Sequence, residues 1–122
     1  MSRVLIIEDN AANMKLACLL LQNAGHEAIS AVDAETGLTL ARAERPDLIL
    51  MDLAMPGMDG WEAARQLKAD AETADIPIIA LTAFAMRGDE ERARQAGCDA
   101  YLSKPCRPQT IRDVVRQFLA RA

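Results

Sequence analysis

The sequence predicts an α/β domain, with a five-stranded parallel sheet flanked by five helices. Short apolar segments alternate five times with longer segments of helical character, and the central run, residues 48–51, is apolar throughout. An uninterrupted apolar run is typical of a strand buried on both faces of a parallel sheet. The chain, residues 1–122, is long enough for one such domain and too short for a second. In the common doubly wound order 2-1-3-4-5, ligands bind between the first and third strands.

The predicted strands are short and rich in Ile, Leu and Val. The second strand alternates only weakly, as expected of a strand at the sheet edge. The five predicted strands are residues 4–7, 27–32, 48–51, 78–82 and 100–103.

Residues that cap or end helices mark the predicted helix boundaries. Asn10 or Asp9 can cap the first helix, which Gly25 ends, and Asp33 caps the second, which ends before Pro46. The third and fourth helices are predicted at residues 61–69 and 86–96, and the fifth begins at Pro108.

Composition excludes several classes of protein. The net charge is −4 and the chain has no basic run, which argues against nucleic acid and anionic membranes as partners. The apolar runs are too short to insert into a membrane. Three cysteines without a CxxC pair fit a reducing compartment, so we expect a cytoplasmic protein.

Polar residues follow four of the five predicted strands. Glu8 and Asp9 end the first strand, Asp52 the third and Thr82 the fourth, and the fifth leads to Lys104. Because the carboxyl ends of parallel strands meet at one rim of the sheet, these side chains are predicted to converge there.

The predicted rim suits a phosphoryl-transfer site. Three crowded carboxylates repel one another unless a cation lies among them, and oxygen ligands favour Mg²⁺ or Mn²⁺. Asp52 could then attack phosphorus as a nucleophile, while the Thr82 hydroxyl and the Lys104 ammonium suit the remaining phosphoryl oxygens. Taken singly, each residue has an ordinary interpretation as a helix cap, a strand-end hydroxyl or a surface lysine.

The motif residues resemble those of response-regulator receiver domains of two-component signalling. In order and spacing, the match comprises Glu8-Asp9, Asp52, Thr82-Ala83 and Lys104-Pro105. The resemblance covers the whole chain and implies a flavodoxin-like receiver fold. The stretches at residues 13–16, 82–86 and 88–92 resemble single-domain members that regulate the cell cycle or cell fate.

The resemblance also implies the role of each motif residue. Asp52 is then the phosphoacceptor, and Thr82 and Lys104 bind the phosphoryl group. Tyr101 matches the aromatic residue that reorients on activation, although packing at the sheet edge is its ordinary interpretation. Mg²⁺ would be held by Asp9, Asp52 and the backbone carbonyl of Ala54, with Glu8 acting through a bound water.

The same resemblance implies a stand-alone regulator without an output domain. It would receive its phosphoryl group from a histidine kinase or a phosphotransfer protein and pass the signal to a downstream protein. It would catalyse only its own phosphorylation and dephosphorylation, as a monomer or a weak dimer. The kinase, the target and the phosphoryl lifetime are not readable from the sequence.

The first predicted helix is apolar nearly all round, which suggests a docking surface. We expect an inward stripe of Leu16, Ala17, Leu20, Leu21 and Ala24. We expect Ala11, Cys18 and Leu19 to face outward, with Met14 at the flank. The hypothesis is that a helical kinase or phosphotransfer domain docks on Ala11, Met14, Lys15 and Cys18, together with Pro105 and Cys106.

Two other classes of function stay open at this point. A magnesium-dependent phosphatase with an aspartyl nucleophile would want a second carboxylate two residues beyond Asp52, where this chain has Ala54. An adaptor that works without phosphorylation would keep the fold, but its site would be expected to lack some of the motif residues.

Overall fold

Five short apolar segments form one parallel sheet in the computed structural model, which describes residues 2–53, 60–82, 89–103 and 107–120. The strands are β1 (Arg3–Ile7), β2 (Glu27–Ala31), β3 (Leu48–Asp52), β4 (Ile78–Thr82) and β5 (Ala100–Ser103). They pair in the order β2-β1-β3-β4-β5, and every pair is parallel. The predicted fold class and strand order are confirmed.

Within the described ranges, five helices follow the strands in alternation. They are α1 (Ala11–Asn23), α2 (Ala34–Glu44), α3 (Gly60–Ala69), α4 (Asp89–Gln95) and α5 (Pro108–Leu119). The predicted boundaries agree to within a residue or two, apart from the start of the fourth helix, whose predicted residues 86–88 lie outside the described residues.

The predicted caps explain where the first two helices begin. The Asn10 side chain accepts a hydrogen bond from the main-chain N–H of Asn13, and Asp33 accepts one from Thr36. These side chains satisfy N–H groups that have no partner inside the helix. The fifth helix begins at Pro108, as predicted.

The alternation of side chains along each strand builds two cores. The larger core lies between the sheet and α2, α3 and α4, and the smaller core lies between the sheet and α1 and α5. In β1, for example, Leu5 and Ile7 enter the larger core, whereas Val4 and Ile6 enter the smaller one. The central strands β1 and β3 are therefore buried on both faces, as the apolar runs predicted.

The predicted orientation of α1 is wrong at two positions. Leu16, predicted to face inward, is 67% exposed, and Cys18, predicted to face outward, is half-buried against the smaller core. The inward direction is set by Leu21, with Met14 and Ala17 on the same face. Leu16 lies five residues before Leu21, which is about 140° round a helix of 3.6 residues per turn.

Two of the three residues predicted to face outward do so. Ala11 and Leu19 are exposed, Leu19 to 47%. The pattern misled because a helix with apolar residues all round has no unique apolar face.

Among the helices that the structure describes, none is both long enough and apolar enough to cross a membrane.

Candidate functional site

Three carboxylates meet where strands β1 and β3 end. Ile7 pairs with Met51 in parallel register, so the residues that follow them, Glu8 and Asp52, lie on neighbouring strands at the same rim. Asp9 comes next in the chain. One oxygen from each of the three carboxylates lies within 4.8 Å of the other two. The cluster lies between the first and third strands, where ligands of a doubly wound sheet bind.

Main-chain hydrogen bonds extend past both strand ends and hold the cluster in place. The N–H of Glu8 donates to the carbonyl oxygen of Ala31 at 3.0 Å, and the N–H of Leu53 donates to that of Leu81 at 2.9 Å. The backbone of Asp52 is therefore part of the hydrogen-bonded sheet rather than of a loop. Carboxylates carried by such a backbone are positioned before any ligand arrives.

The cluster combines buried and exposed carboxylates. Glu8 is 5% exposed and Asp52 is 7% exposed, whereas Asp9 is open to solvent. Negative charges this close repel strongly where water is scarce, and a cation between them relieves that repulsion. Three carboxylates, without a histidine or thiol among them, are the donors that a hard divalent cation prefers. The residues present fit Mg²⁺ or Mn²⁺.

Helix α3 begins directly against the end of β3. A Cβ atom on Gly60 would lie 2.6 Å from the Cα of Leu53 and 3.0 Å from the carbonyl oxygen of Asp52. Only a residue without a side chain allows the helix to approach the strand so closely. The first turn of α3 therefore supports the peptide that carries Asp52.

The other predicted rim residues are described in part. Thr82 is the last residue of β4, one position beyond Leu81, which pairs with Asp52. The side chain of Thr82 lies outside the described part of the structure, and so do Lys104 and Ala54. The structure therefore brings Glu8, Asp9 and Asp52 together and leaves the remaining three site residues as predictions.

Tyr101 lies on β5 and pairs with Ala80 of β4. Its ring packs against the larger core, and its hydroxyl oxygen is buried. The ring therefore lies on the face of the sheet that α2, α3 and α4 cover.

The four docking residues predicted on α1 divide into two groups. Ala11 and Lys15 are exposed, whereas Met14 and Cys18 are half-buried and pack against the smaller core. Burial raises the pKa of the Cys18 thiol. The other two members of the predicted surface, Pro105 and Cys106, lie outside the described residues.

Residues at the start of α3, and an arginine of α4 that contacts them, escaped the sequence interpretation. Gly60 carried a signal, since a glycine in the first turn of a helix indicates a close backbone approach. Trp61 follows it and is buried, with the guanidinium carbon of Arg92 4.6 Å from the centre of its ring. No sequence pattern joins Trp61 to Arg92, because the two residues lie on different helices.

The family of this chain follows from its motif and its fold together. The family described as the response regulator receiver domain matches residues 4–116. This chain belongs to the response regulator receiver domain family.

Among curated proteins, the chain is similar to polar-differentiation response regulators. The polar-differentiation response regulator DivK of Brucella anthropi is 48% identical over 119 residues, which are 98% of this chain and 97% of that protein. DivK of Brucella ovis is 47% identical over the same shares of the two chains.

Solved structures share the fold almost completely. The chemotaxis response regulator CheY4 of Vibrio cholerae has a TM-score of 0.91 at 27% identity, covering 97% of this chain and 98% of that one. The receiver domain of a sensor histidine kinase from Pseudomonas aeruginosa has a TM-score of 0.90 at 33% identity, covering 98% of each chain. That protein has a magnesium ion coordinated in its active site cleft.

Proposed function

We propose that this chain is a signalling switch in which Asp52 accepts a phosphoryl group from a histidine kinase or a phosphotransfer protein. The observation that carries the proposal is the cluster of Glu8, Asp9 and Asp52 at the strand ends. Membership of the receiver family supports the same role. The switch would act catalytically only on its own phosphorylation and dephosphorylation.

In the proposed transfer, a carboxylate oxygen of Asp52 attacks the phosphorus of a phosphohistidine. A P–O bond forms as the P–N bond to the imidazole breaks, and the electron pair of the broken bond goes to the imidazole nitrogen, which takes up a proton. A divalent cation, when bound, neutralises charge on the phosphoryl oxygens. The fixed backbone of β3 holds the attacking carboxylate in place. Little conformational entropy is therefore lost at the moment of transfer.

The neighbouring residues would bind the cation and the phosphoryl group. Asp9 and Asp52, with the backbone carbonyl of Ala54, would hold the cation, and Glu8 would act through a bound water. Thr82 and Lys104 would bind the phosphoryl oxygens, as a hydroxyl and an ammonium can.

The proposed output is a change in protein–protein contacts. Contacts of the phosphoryl group with Thr82 would draw in the segment that follows β4, and Tyr101 would reorient with it. A downstream protein would recognise the altered surface, with the switch acting as a monomer or a weak dimer. The setting we propose is the cytoplasm, where reducing conditions keep cysteines as thiols.

The phosphoryl donor would dock on the surface predicted beside the rim. The exposed residues Ala11 and Lys15 can meet a helical partner directly, while Met14 and Cys18 offer only their half-exposed sides. Pro105 and Cys106 complete the proposed surface.

Intact mass spectrometry with a small phosphodonor tests the proposal. Wild type incubated with acetyl phosphate and Mg²⁺ is expected to gain one phosphoryl group, and to gain none when the cation is chelated. Asp52→Asn is the variant that should gain none under either condition, because its amide is not a nucleophile.

Asp47→Asn is the matched control, since Asp47 is an acidic residue at the opposite end of the same strand. It should be phosphorylated like wild type. An adduct that persists in folded Asp52→Asn would contradict the proposal, as would wild type that gains nothing or releases phosphate continuously without an adduct.

A further inference from the structure

The guanidinium of Arg92 on α4 covers the indole ring of Trp61 on α3. The central guanidinium carbon lies 4.6 Å from the centre of the ring. Trp61 is 8% exposed, whereas Arg92 is exposed, so the guanidinium lies over a ring that the larger core otherwise encloses. A cation over an aromatic face at this distance is an attractive electrostatic contact.

A short path of contacts joins this pair to the phosphoacceptor. Gly60 packs against the carbonyl oxygen of Asp52 and the Cα of Leu53, and Trp61 is the next residue along the chain. Leu53 and Trp61 belong to the same packed core. A shift of the Asp52–Leu53 peptide cannot leave the first turn of α3 unmoved, because the space between them would not hold even a methyl group.

The far end of the path is helix α4, whose described part spans Asp89–Gln95 and packs against β5. One or two turns of helix are not stable without such tertiary contacts. Of its described residues, Ala93 enters the larger core, and Ala96 follows directly after the helix. Alanine buries little apolar area, so the contact between Arg92 and Trp61 is a substantial part of what attaches α4 to α3.

We propose that Arg92 and Trp61 couple the occupancy of Asp52 to the position of α4. This inference rests on the proposed function, because phosphorylation of Asp52 is its input. Occupancy moves the first turn of α3, the indole moves with it, and the guanidinium contact that attaches α4 changes. Arg92 is then a positioning residue, which touches neither the cation nor the phosphoryl group.

Coupling between two positions is reciprocal, so loss of Arg92 must also change the affinity of the site. An exposed cation–π contact corresponds to about a two- to fivefold change in an equilibrium constant. We therefore expect Arg92→Ala to change the midpoint for a phosphoryl analogue by about two- to fivefold.

Fluorescence of the intact protein tests the coupling, because Trp61 is the only tryptophan in the chain. Beryllofluoride with Mg²⁺ is titrated into wild type, Arg92→Ala and Arg94→Ala while indole emission is recorded. Arg94 is a matched control, an exposed arginine on the same helix that pairs with Glu91 at 3.0 Å. Wild type and Arg94→Ala should show the same change in emission at the same midpoint.

Arg92→Ala should lose much of the emission change and shift the midpoint by about two- to fivefold. Arg92→Lys, which keeps a cation, should recover part of both effects, and Arg92→Gln, which keeps much of the length without the charge, should behave like Arg92→Ala. Arg92→Gln also serves as the second variant if Arg92→Ala does not fold. Acrylamide should quench Trp61 more strongly in Arg92→Ala than in wild type, because the ring loses its cover.

The failures of the two proposals are distinguishable. If wild type gains a phosphoryl group on Asp52 but Arg92→Ala and Arg92→Gln keep its midpoint and amplitude, the coupling is overturned and the proposed function stands. If wild type gains no phosphoryl group by mass spectrometry, the proposed function fails and the coupling fails with it.

Discussion

The ammonium nitrogen of Lys68 lies 3.0 Å from the Oδ2 atom of Asp99. The same nitrogen donates to the carbonyl oxygens of Ala74 at 3.2 Å and Ile76 at 2.8 Å. Asp99 accepts a further hydrogen bond from the main-chain N–H of Ile78 at 2.8 Å. One lysine thus joins the end of α3, the segment before β4 and the start of β5, at the opposite rim of the sheet from the carboxylate cluster.

Replacing Lys68 by methionine should destabilise the fold. Methionine keeps most of the aliphatic length but removes the ammonium, so both carbonyl oxygens and the Asp99 carboxylate lose a charged donor. Since a hydrogen bond to a charged group contributes about 1.5–3 kcal/mol, we expect the free energy of unfolding to fall by about 2–3 kcal/mol. Urea denaturation followed by circular dichroism measures it.

Arg116→Met provides the control for that measurement. Arg116 pairs with Asp113 at 3.0 Å on the outer face of α5, and its side chain is mostly exposed. Exposed pairs contribute little, so the control should change the free energy of unfolding by less than about 0.5 kcal/mol. Equal changes in the free energy of unfolding would show that the contacts of Lys68 stabilise the fold no more than an exposed ion pair does.

Replacing Gly60 by alanine should destabilise the protein even though alanine is the better helix former. The added methyl group would meet the Cα of Leu53 and the carbonyl oxygen of Asp52, which are backbone atoms that cannot rotate away. Overpacking costs about 1–3 kcal/mol against a helix-propensity gain of about 1 kcal/mol, so we expect a net loss of up to about 2 kcal/mol. Thermal unfolding with and without the substitution measures it.

Arg65→Ala tests whether the effect is local to the helix start. Arg65 is exposed on the same helix, and its substitution should leave the free energy of unfolding within about 0.5 kcal/mol of wild type. A Gly60→Ala variant as stable as wild type would mean that α3 can move away from β3 at no cost.

The strands and the residues of the carboxylate cluster were predictable because their signals are local in the sequence, whereas the strand order was taken from the common doubly wound arrangement. An apolar run that ends on Asp52 shows both a buried strand and the polar group at its end, and the same holds for Glu8 and Asp9. The caps Asn10 and Asp33 are local as well, since each bonds an N–H three residues away.

The parts that escaped prediction depend on which helix faces pack together. Exposed Leu16 is as apolar as buried Leu21, so composition could not orient α1. The contact between Trp61 and Arg92 joins two helices through side chains that carry no motif. Such pairs are set by the three-dimensional arrangement of the helices, which appears only once the sheet is assembled.

The stability of the protein should fall at low pH through Asp33. The main-chain N–H of Thr36 donates to this carboxylate at 2.7 Å and holds its pKa below the ordinary value of 3.8. The unfolded chain therefore takes up the proton first as the pH falls, so the contribution is complete well above pH 3.8 and is lost below it.

Asp33→Asn isolates this contribution, because asparagine caps a helix about as well and does not titrate. Wild type should lose stability relative to Asp33→Asn as the pH falls from about 5 to about 2. Urea midpoints of the two proteins across that range measure the difference. A difference that stays constant with pH would contradict the assigned cause.

Removal of divalent cations should destabilise wild type more than Asp52→Asn. Charges about 5 Å apart repel by about 3 kcal/mol at an effective dielectric constant of 20, and screening at the exposed Asp9 side reduces this to about 1–2 kcal/mol. With a chelator present, Asp52→Asn is therefore spared up to about 1–2 kcal/mol of this repulsion. Adding millimolar Mg²⁺ should raise the unfolding temperature of wild type and leave that of Asp52→Asn nearly unchanged, because a cation that binds only the folded state stabilises that state.

Thermal unfolding in chelator and in Mg²⁺ measures both effects, with Asp47→Asn as the control that should respond to Mg²⁺ like wild type. An equal response of Asp52→Asn would mean that the cation binds elsewhere.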